Sequence, residues 1–261
     1  MFSIKPHSSQ NKNDKNSIPL ASLIPNAVTL IGLAIGLSAI RFAFEGEWLI
    51  SVSLLLLAGF LDGVDGRLAR FLNSTSEFGA QLDSLIDFVN FGVVPALITY
   101  LYLNEVAQIR YFDWALVLFF SSCMAFRLAR FNVDLNNEDK DPKLTNYFFQ
   151  GIPAPCGAAL STLPFVLMFQ FGDGYFFADP KVIICYNFIL AVLVSSTLPT
   201  ISIKKIPLKN EFIYLTFLIF IILITGLLVE PWLTLAIVGI TYIFSFPITT
   251  TSYLRIKYAN K

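Results

Sequence analysis

The chain has 261 residues, of which 56% are hydrophobic and 14% are charged, and its mean hydropathy is +0.68. This composition excludes an ordinary soluble domain and predicts a protein that crosses a membrane several times. The formal net charge is zero, so charge gives no indication of nucleic-acid binding, and no nucleic-acid partner is expected.

Apolar runs along the chain predict its architecture. A helix needs about 20 predominantly apolar residues to cross a bilayer, and eight such runs occur. The predicted fold is an all-α integral membrane protein of about eight transmembrane helices, of which the first six form a catalytic bundle. The predicted spans are 24–44, 49–71, 76–103, 112–133, 153–171, 181–200, 211–229 and 231–252.

The chain is predicted to contain three regions. Residues 1–22 form a polar tail, residues 23–203 form the six-helix catalytic domain, and residues 204–261 add two helices. Because the last two spans carry no internal charge, we interpret them as scaffold or as a surface for oligomer contacts.

With eight spans, Lys and Arg are distributed unevenly between the two sides of the membrane. Fifteen of the 18 basic residues fall on the side that holds both termini and the turn between spans two and three. The positive-inside rule predicts that this side is cytoplasmic. The expected location is the inner membrane of a bacterium.

The first span begins with a run of small and polar residues. Pro25 is expected to open the helix, and Gly32 and Gly36 form a small-xxx-small face suited to close helix contact. Asn26 and Thr29 lie near the same cytoplasmic end. They either cap and pack this helix or contact a ligand of the aspartates in the next two spans.

Spans two and three contain four aspartates. Asp62 and Asp65 are three residues apart and Asp83 and Asp87 are four apart, so each pair lies on one helix face. A turn near residue 74, where Ser74 and Glu77 match a capping box, would place all four at nearly one depth. A carboxylate within a span costs roughly 2.5–3.5 kcal/mol. Hard oxygen ligands in such a cluster predict a site for Mg²⁺, Mn²⁺ or Ca²⁺, with two ions expected.

Other residues around the aspartates complete a longer pattern. Gly66 and Gly79 leave space beside the carboxylates, Ala69 is small, and Arg70 carries a fork that suits phosphate oxygens. The full pattern resembles the signature of the CDP-alcohol phosphatidyltransferase family, and all eight signature positions match. These positions are Asp62, Asp65, Gly66, Ala69, Arg70, Gly79, Asp83 and Asp87.

The resemblance implies a role for each position. In the family the first three aspartates hold metal, which implies this role for Asp62, Asp65 and Asp83. The fourth also acts as general base, which implies both roles for Asp87. The residues expected to bind the CDP group are Asn26, Thr29, Gly66, Ala69, Arg70 and Gly79. A homodimer is also expected from the family.

Further segments are similar to the branch of membrane-embedded phosphatidylserine synthases. They are residues 88–96, 127–132 and 150–155. This resemblance implies transfer of a phosphatidyl group from CDP-diacylglycerol to L-serine, with membrane lipids around the protein. At Asn90 the chain departs from the pattern, since serine is expected there. Glycerol 3-phosphate, inositol phosphate and choline stay open as acceptors, and a cation or proton transporter is the alternative of another class.

Two arginines lie at the cytoplasmic end of the fourth span. Arg127 and Arg130 are three residues apart and are followed by Asn132. They are either positive-inside anchors or, together with Asn132, the residues that bind the carboxylate of an amino-acid acceptor.

Overall fold

The computed structural model of the chain describes residues 20–72, 74, 76–107, 112–135, 148–201 and 213–259. These residues are almost entirely helical, as the sequence predicts. The α-helices are α1 (Leu20–Phe44), α2 (Trp48–Phe71), α3 (Glu77–Asp87), α4 (Val94–Val106), α5 (Phe112–Leu135), α6 (Ala154–Ser161), α7 (Leu163–Phe171), α8 (Pro180–Ser195), α9 (Ile213–Val229) and α10 (Pro231–Ala259). Most of the predicted tail, and parts of the predicted loops, lie outside the described residues.

Each of the eight predicted spans coincides with helix, but the helices differ in length. Among the described residues, four helical segments are long and apolar enough to cross a membrane, with 77–106 taken as one segment. The bent pair α6–α7 makes a fifth if the 41° bend lies within one span. The apolar helices 180–195, 213–229 and 231–247 are shorter. The chain therefore has the helices of a membrane protein, and the count of eight spans stays a prediction.

The third predicted span is one continuous helical segment, called the third rod below, with a π-helical turn in its middle. Helix α3 is followed by a π-helical turn, Phe88–Val93, and then by α4. Val94 donates its backbone N–H to the carbonyl of Val89, five residues earlier. Pro95 follows directly and has no N–H to donate to the carbonyl of Phe91, so a regular α-helical ladder cannot continue through this point.

The beginnings of two helices differ in detail from the sequence prediction. Helix α1 is already formed at Leu20, so Pro25 lies inside it and does not open it. Helix α3 is capped by Ser76, whose hydroxyl accepts a hydrogen bond from the N–H of Gly79 at 3.0 Å. The predicted cap, Ser74, instead lies 3.5 Å from the carbonyl of Ala69. Both serines suit a capping position by residue type, and the backbone at Ser76 has the extended conformation that a cap requires.

A short antiparallel ribbon, which the all-helical prediction does not include, ties two distant segments together. Strand β1 (Phe148–Gln150) precedes α6 and pairs with β2 (Pro199–Ile201), which follows α8. Gly151 extends the pairing by donating its N–H to the carbonyl of Leu198 at 2.8 Å. Arg130 of α5 then donates hydrogen bonds to the carbonyls of Ser195 (2.9 Å) and Ser196 (2.7 Å) at the end of α8.

The core consists of two adjoining apolar clusters around the third rod. One includes Leu55, Ile98 and Phe165, and the other includes Phe91 and Phe120. Helix α1 packs along α2, and the buried hydroxyl of Ser51 donates to the carbonyl of Ala39 at 2.8 Å. Helix α10 packs on α7, whereas α9 has no buried residue.

Gly151 is expected to be sensitive to substitution. Its φ of +71° favours glycine, and a Cβ there would lie 2.7 Å from the carbonyl oxygen of Ser196 and 2.9 Å from that of Val194. We expect Gly151→Ala to lower the free energy of unfolding by about 1–3 kcal/mol, measured as a lower Tm in detergent.

Gly46→Ala is the matched control for this substitution. Gly46 also has positive φ, at +76°, but a Cβ there would have no atom within 4 Å. An equal loss of Tm in the two variants would show that the contacts of Gly151 contribute nothing beyond its backbone conformation.

Candidate active site

Three of the four predicted aspartates converge in the structure. Asp62 of α2 and Asp83 and Asp87 of α3 each offer one carboxylate oxygen, and these three oxygens lie within 4.8 Å of one another. All three side chains are partly buried. The reversal of the chain between α2 and α3 brings the two acidic faces together at one level, as the spacing of the residues predicts.

The fourth aspartate, Asp65, lies beside this group and has different neighbours. It is 4% exposed, and its carboxylate lies next to the hydroxyl of Thr29 and the N–H of Gly66. The Thr29 hydroxyl is also 3.0 Å from the carbonyl of Pro25. Because a hydroxyl has a single proton, it can donate to only one of these two acceptors at a time.

Within the part of the chain that is described, no basic side chain forms an ion pair with the four aspartates. The Arg41–Glu45 pair lies at the opposite end of α1. The carboxyl groups of Asp62 and Asp87 approach to hydrogen-bonding distance, and Oδ1 of Asp87 is buried without a hydrogen-bond partner among these residues. A set of buried ion pairs therefore does not account for the cluster.

The donor set fits a divalent cation. It consists of hard carboxylate oxygens close together, one of them an orphaned buried atom. Such oxygens suit Mg²⁺, Mn²⁺ and Ca²⁺, and like charges at this spacing repel unless a cation or a shared proton lies between them.

The residues predicted to bind CDP differ in burial and in their contacts. Asn26 lies against α3, where a Cβ on Gly79 would be 2.9 Å from Oδ1 of Asn26, so a small residue is needed at position 79. Gly66 has no atom within 4 Å of a Cβ position and faces open space. Arg70 is exposed and Ala69 is partly buried. The contact of Thr29 with Asp65 and that of Asn26 with Gly79 support the interpretation in which α1 borders the site.

The three residues predicted to bind an acceptor carboxylate differ in their surroundings. Arg127 is 8% exposed, its Nε donates to the carbonyl of Ile152, and its charge lies within electrostatic range of Asp87. Arg130 donates to the two α8 carbonyls described above. Asn132 is exposed, and its Nδ2 donates to Oγ of Ser84 at 2.7 Å, next to Asp83. Because Arg127 is buried, it does not fit the interpretation as an anchor in the headgroup region.

Two residues near the site do not follow from the sequence prediction. Tyr242 of α10 lies beside Cys156 of α6, close to the charge of Arg127. The last span carries no charge, so nothing in its sequence indicated a contact with the catalytic bundle. Asn90 is notable in the sequence only as a departure from the family pattern, and the structure buries it to 2% exposure.

Comparison with known proteins gives two family matches. The model of the CDP-alcohol phosphatidyltransferase family matches residues 22–198, which contain all four aspartates. A second model, described as CDP-alcohol phosphatidyltransferase 2, matches residues 211–247 in α9 and α10.

Curated relatives include three proteins named CDP-diacylglycerol–serine O-phosphatidyltransferase. The one from Mycobacterium tuberculosis H37Rv is 40% identical over 153 residues, which are 59% of this chain and 52% of the relative. The one from Mycobacterium leprae is 31% identical over 233 residues, 86% of this chain and 73% of the relative. The one from Helicobacter pylori J99 is 35% identical over 205 residues, 77% and 81% of the two chains.

The match spans about half the length of the Mycobacterium tuberculosis relative. The family match is broader, since it covers more than half of this chain and includes the converging carboxylates of α2 and α3. The chain therefore belongs to the CDP-alcohol phosphatidyltransferase family.

Proposed function

We propose that the protein transfers the phosphatidyl group of CDP-diacylglycerol to the hydroxyl of L-serine, giving phosphatidylserine and CMP. The observation that carries this proposal is the convergence of Asp62, Asp83 and Asp87 without a basic partner among the described residues. The choice of serine as acceptor is supported by the names of the curated relatives.

The carboxylates are the proposed ligands of divalent metal. Asp62, Asp65, Asp83 and Asp87 would hold Mg²⁺ or Mn²⁺, or else Ca²⁺, with two ions expected. When bound, such ions neutralise charge that develops on phosphoryl oxygens. Asn26, Thr29, Gly66, Ala69, Arg70 and Gly79 are the proposed CDP-binding residues, and the exposed fork of Arg70 is free to meet phosphate oxygens.

Asp87 is the proposed general base. Its buried Oδ1 has no hydrogen-bond donor among the described residues, so no such donor competes with the acceptor hydroxyl for this oxygen. As the serine oxygen attacks the lipid-side phosphorus, its proton passes to Asp87. The bond from that phosphorus to the oxygen of the CMP leaving group breaks, and CMP departs.

The acceptor carboxylate is proposed to bind Arg127, with Asn132 at the cytoplasmic side. Arg127 uses its Nε for the carbonyl of Ile152, which fixes the plane of the guanidinium group. Arg130 bonds two carbonyls at the end of α8, so we propose that it supports this wall of the site and contributes less to binding.

The arrangement in the membrane completes the proposal. The distribution of basic residues supports a cytoplasmic site and cytoplasmic termini in a bacterial inner membrane. The acyl chains of the substrate would stay in the bilayer beside the exposed apolar side chains, and the protein would act as a homodimer.

The acceptor is tested by CMP release from purified protein with CDP-diacylglycerol and Mn²⁺ or Mg²⁺. We expect release with L-serine, and none above background with glycerol 3-phosphate, inositol phosphate or choline. Release with glycerol 3-phosphate alone would contradict the assignment of serine.

Replacement of the proposed base tests the chemistry of Asp87. We expect Asp87→Asn to lower kcat by at least about 100-fold while CDP-diacylglycerol still binds, measured by CMP release and by equilibrium binding. Asp179→Asn is the control, because Asp179 caps α8 from the exposed side and asparagine is an equally good cap. Full activity of Asp87→Asn would exclude the general-base role.

The two arginines are expected to respond differently to the same substitution. Arg127→Gln should raise the KM for L-serine about 10- to 100-fold, since a hydrogen bond to a charged group is lost, with little effect on the KM for CDP-diacylglycerol. Arg130→Gln should mainly lower Tm, because two carbonyls at the end of α8 lose their donor. The reverse result would assign the acceptor to Arg130.

A further inference from the structure

A buried amide lies one turn beyond the proposed general base. Asn90 belongs to the π-helical turn that follows Asp87, and it is 2% exposed. Its Oδ1 is buried and, like Oδ1 of Asp87, has no hydrogen-bond partner among the residues described. Buried side-chain amides normally have partners, and π-helical turns within helices often occur at functional sites.

Two glycines of α1, Gly32 and Gly36, leave the space that the Asn90 amide occupies. A Cβ on Gly36 would overlap Oδ1 of Asn90, and a Cβ on Gly32 would lie 4.0 Å from Nδ2. The amide oxygen therefore rests against Gly36, where Cα–H groups are weak donors.

The nitrogen end of the amide faces the part of α1 that borders the acidic cluster. Oδ1 lies against Gly36, whereas Nδ2 extends from there toward Gly32, whose Cβ position is 4.0 Å away. Thr29, one turn before Gly32, lies next to Asp65. Asn90 follows Asp87 by three residues, so the two residues lie within about 5 Å of each other along the helix axis. In the proposed arrangement, one small polar group lies between their side chains.

We propose that Asn90 donates a hydrogen bond from Nδ2 to the hydroxyl oxygen of the acceptor alcohol, while Asp87 takes the proton of that hydroxyl. This inference rests on the proposed function. A hydroxyl has one proton to give and lone pairs that accept, so both contacts can form at once. Asn90 keeps its own protons throughout, and the electron pair of the hydroxyl oxygen forms the new bond to phosphorus.

The consequence is a fixed direction of attack. A hydroxyl held by Asp87 alone can rotate about that one contact, whereas a second contact from Asn90 restricts it to a single orientation. The small-xxx-small face of α1 then has a specific purpose, because Gly32 and Gly36 make room for the amide that orients the nucleophile.

Two substitutions of Asn90 test the hydrogen bond. Asn90→Leu has similar volume and no donor, and we expect it to lower kcat with L-serine about 10- to 100-fold, with an unchanged KM for CDP-diacylglycerol. Asn90→Ser keeps a donor and should retain a clearly higher kcat than Asn90→Leu. Tm in detergent is measured for both, to separate activity from folding.

A substitution at Gly36 tests the position of the Asn90 amide from α1. Gly36→Ala should displace the amide and lower kcat as Asn90→Leu does, without removing any polar group. Gly59→Ala is the matched control, because a Cβ there would lie 3.5 Å from the ring of Phe91, an ordinary contact. Its kcat should equal that of the unchanged protein.

The outcomes separate this inference from the proposed function. A wild-type kcat in Asn90→Leu, or equal losses in Asn90→Leu and Asn90→Ser, would overturn the hydrogen bond and leave Asn90 with a buried water or a packing role. Failure of the unchanged protein to release CMP with L-serine would instead overturn the proposed function. In that case the Asn90 variants are compared with whichever acceptor does support release.

Discussion

The structure depends on one electrostatic constraint, namely a group of carboxylates on apolar helices with no basic partner among the described residues. Isolated charges of this kind are costly within a membrane, and four of one sign repel one another. The helices can hold Asp62, Asp83 and Asp87 within a few ångströms of one another only if something positive or polar compensates. Divalent cations and the phosphates that they attract satisfy this requirement, which is why the same residues suit a nucleotide-activated lipid.

Helix α1 adapts to this cluster along its length. Asn26 lies at the start of α3, Thr29 contacts Asp65, and Gly32 and Gly36 receive Asn90. These residues lie three or four apart, so they share one face of the helix. Helix α1 is therefore a wall of the site as well as a membrane anchor, and its small residues admit polar side chains from the third rod where larger ones would exclude them.

The opposite wall is built from segments that are distant in the sequence. Arg127 bonds the carbonyl of Ile152 in the segment after β1, while Arg130 bonds the end of α8, so these two segments hold the guanidinium groups of α5. Tyr242 reaches the same region from α10. The apolar part of α10 thereby contributes to the shape of the candidate site, whereas α9 stays exposed.

The sequence by itself determined the membrane helices, the pairing of the aspartates on two helix faces and the family, because these depend on hydrophobic runs, helical periodicity and short spacings. It predicted eight spans, and that number stays a prediction, since the described helices of 16 and 17 residues are shorter than the about 20 residues that a bilayer requires. Only the tertiary structure decided that Asp65 turns to Thr29, that Arg127 is buried and that Asn90 rests on Gly36. Those contacts depend on how each helix is rotated about its axis and on residues far apart in the chain, and neither is encoded in any local pattern.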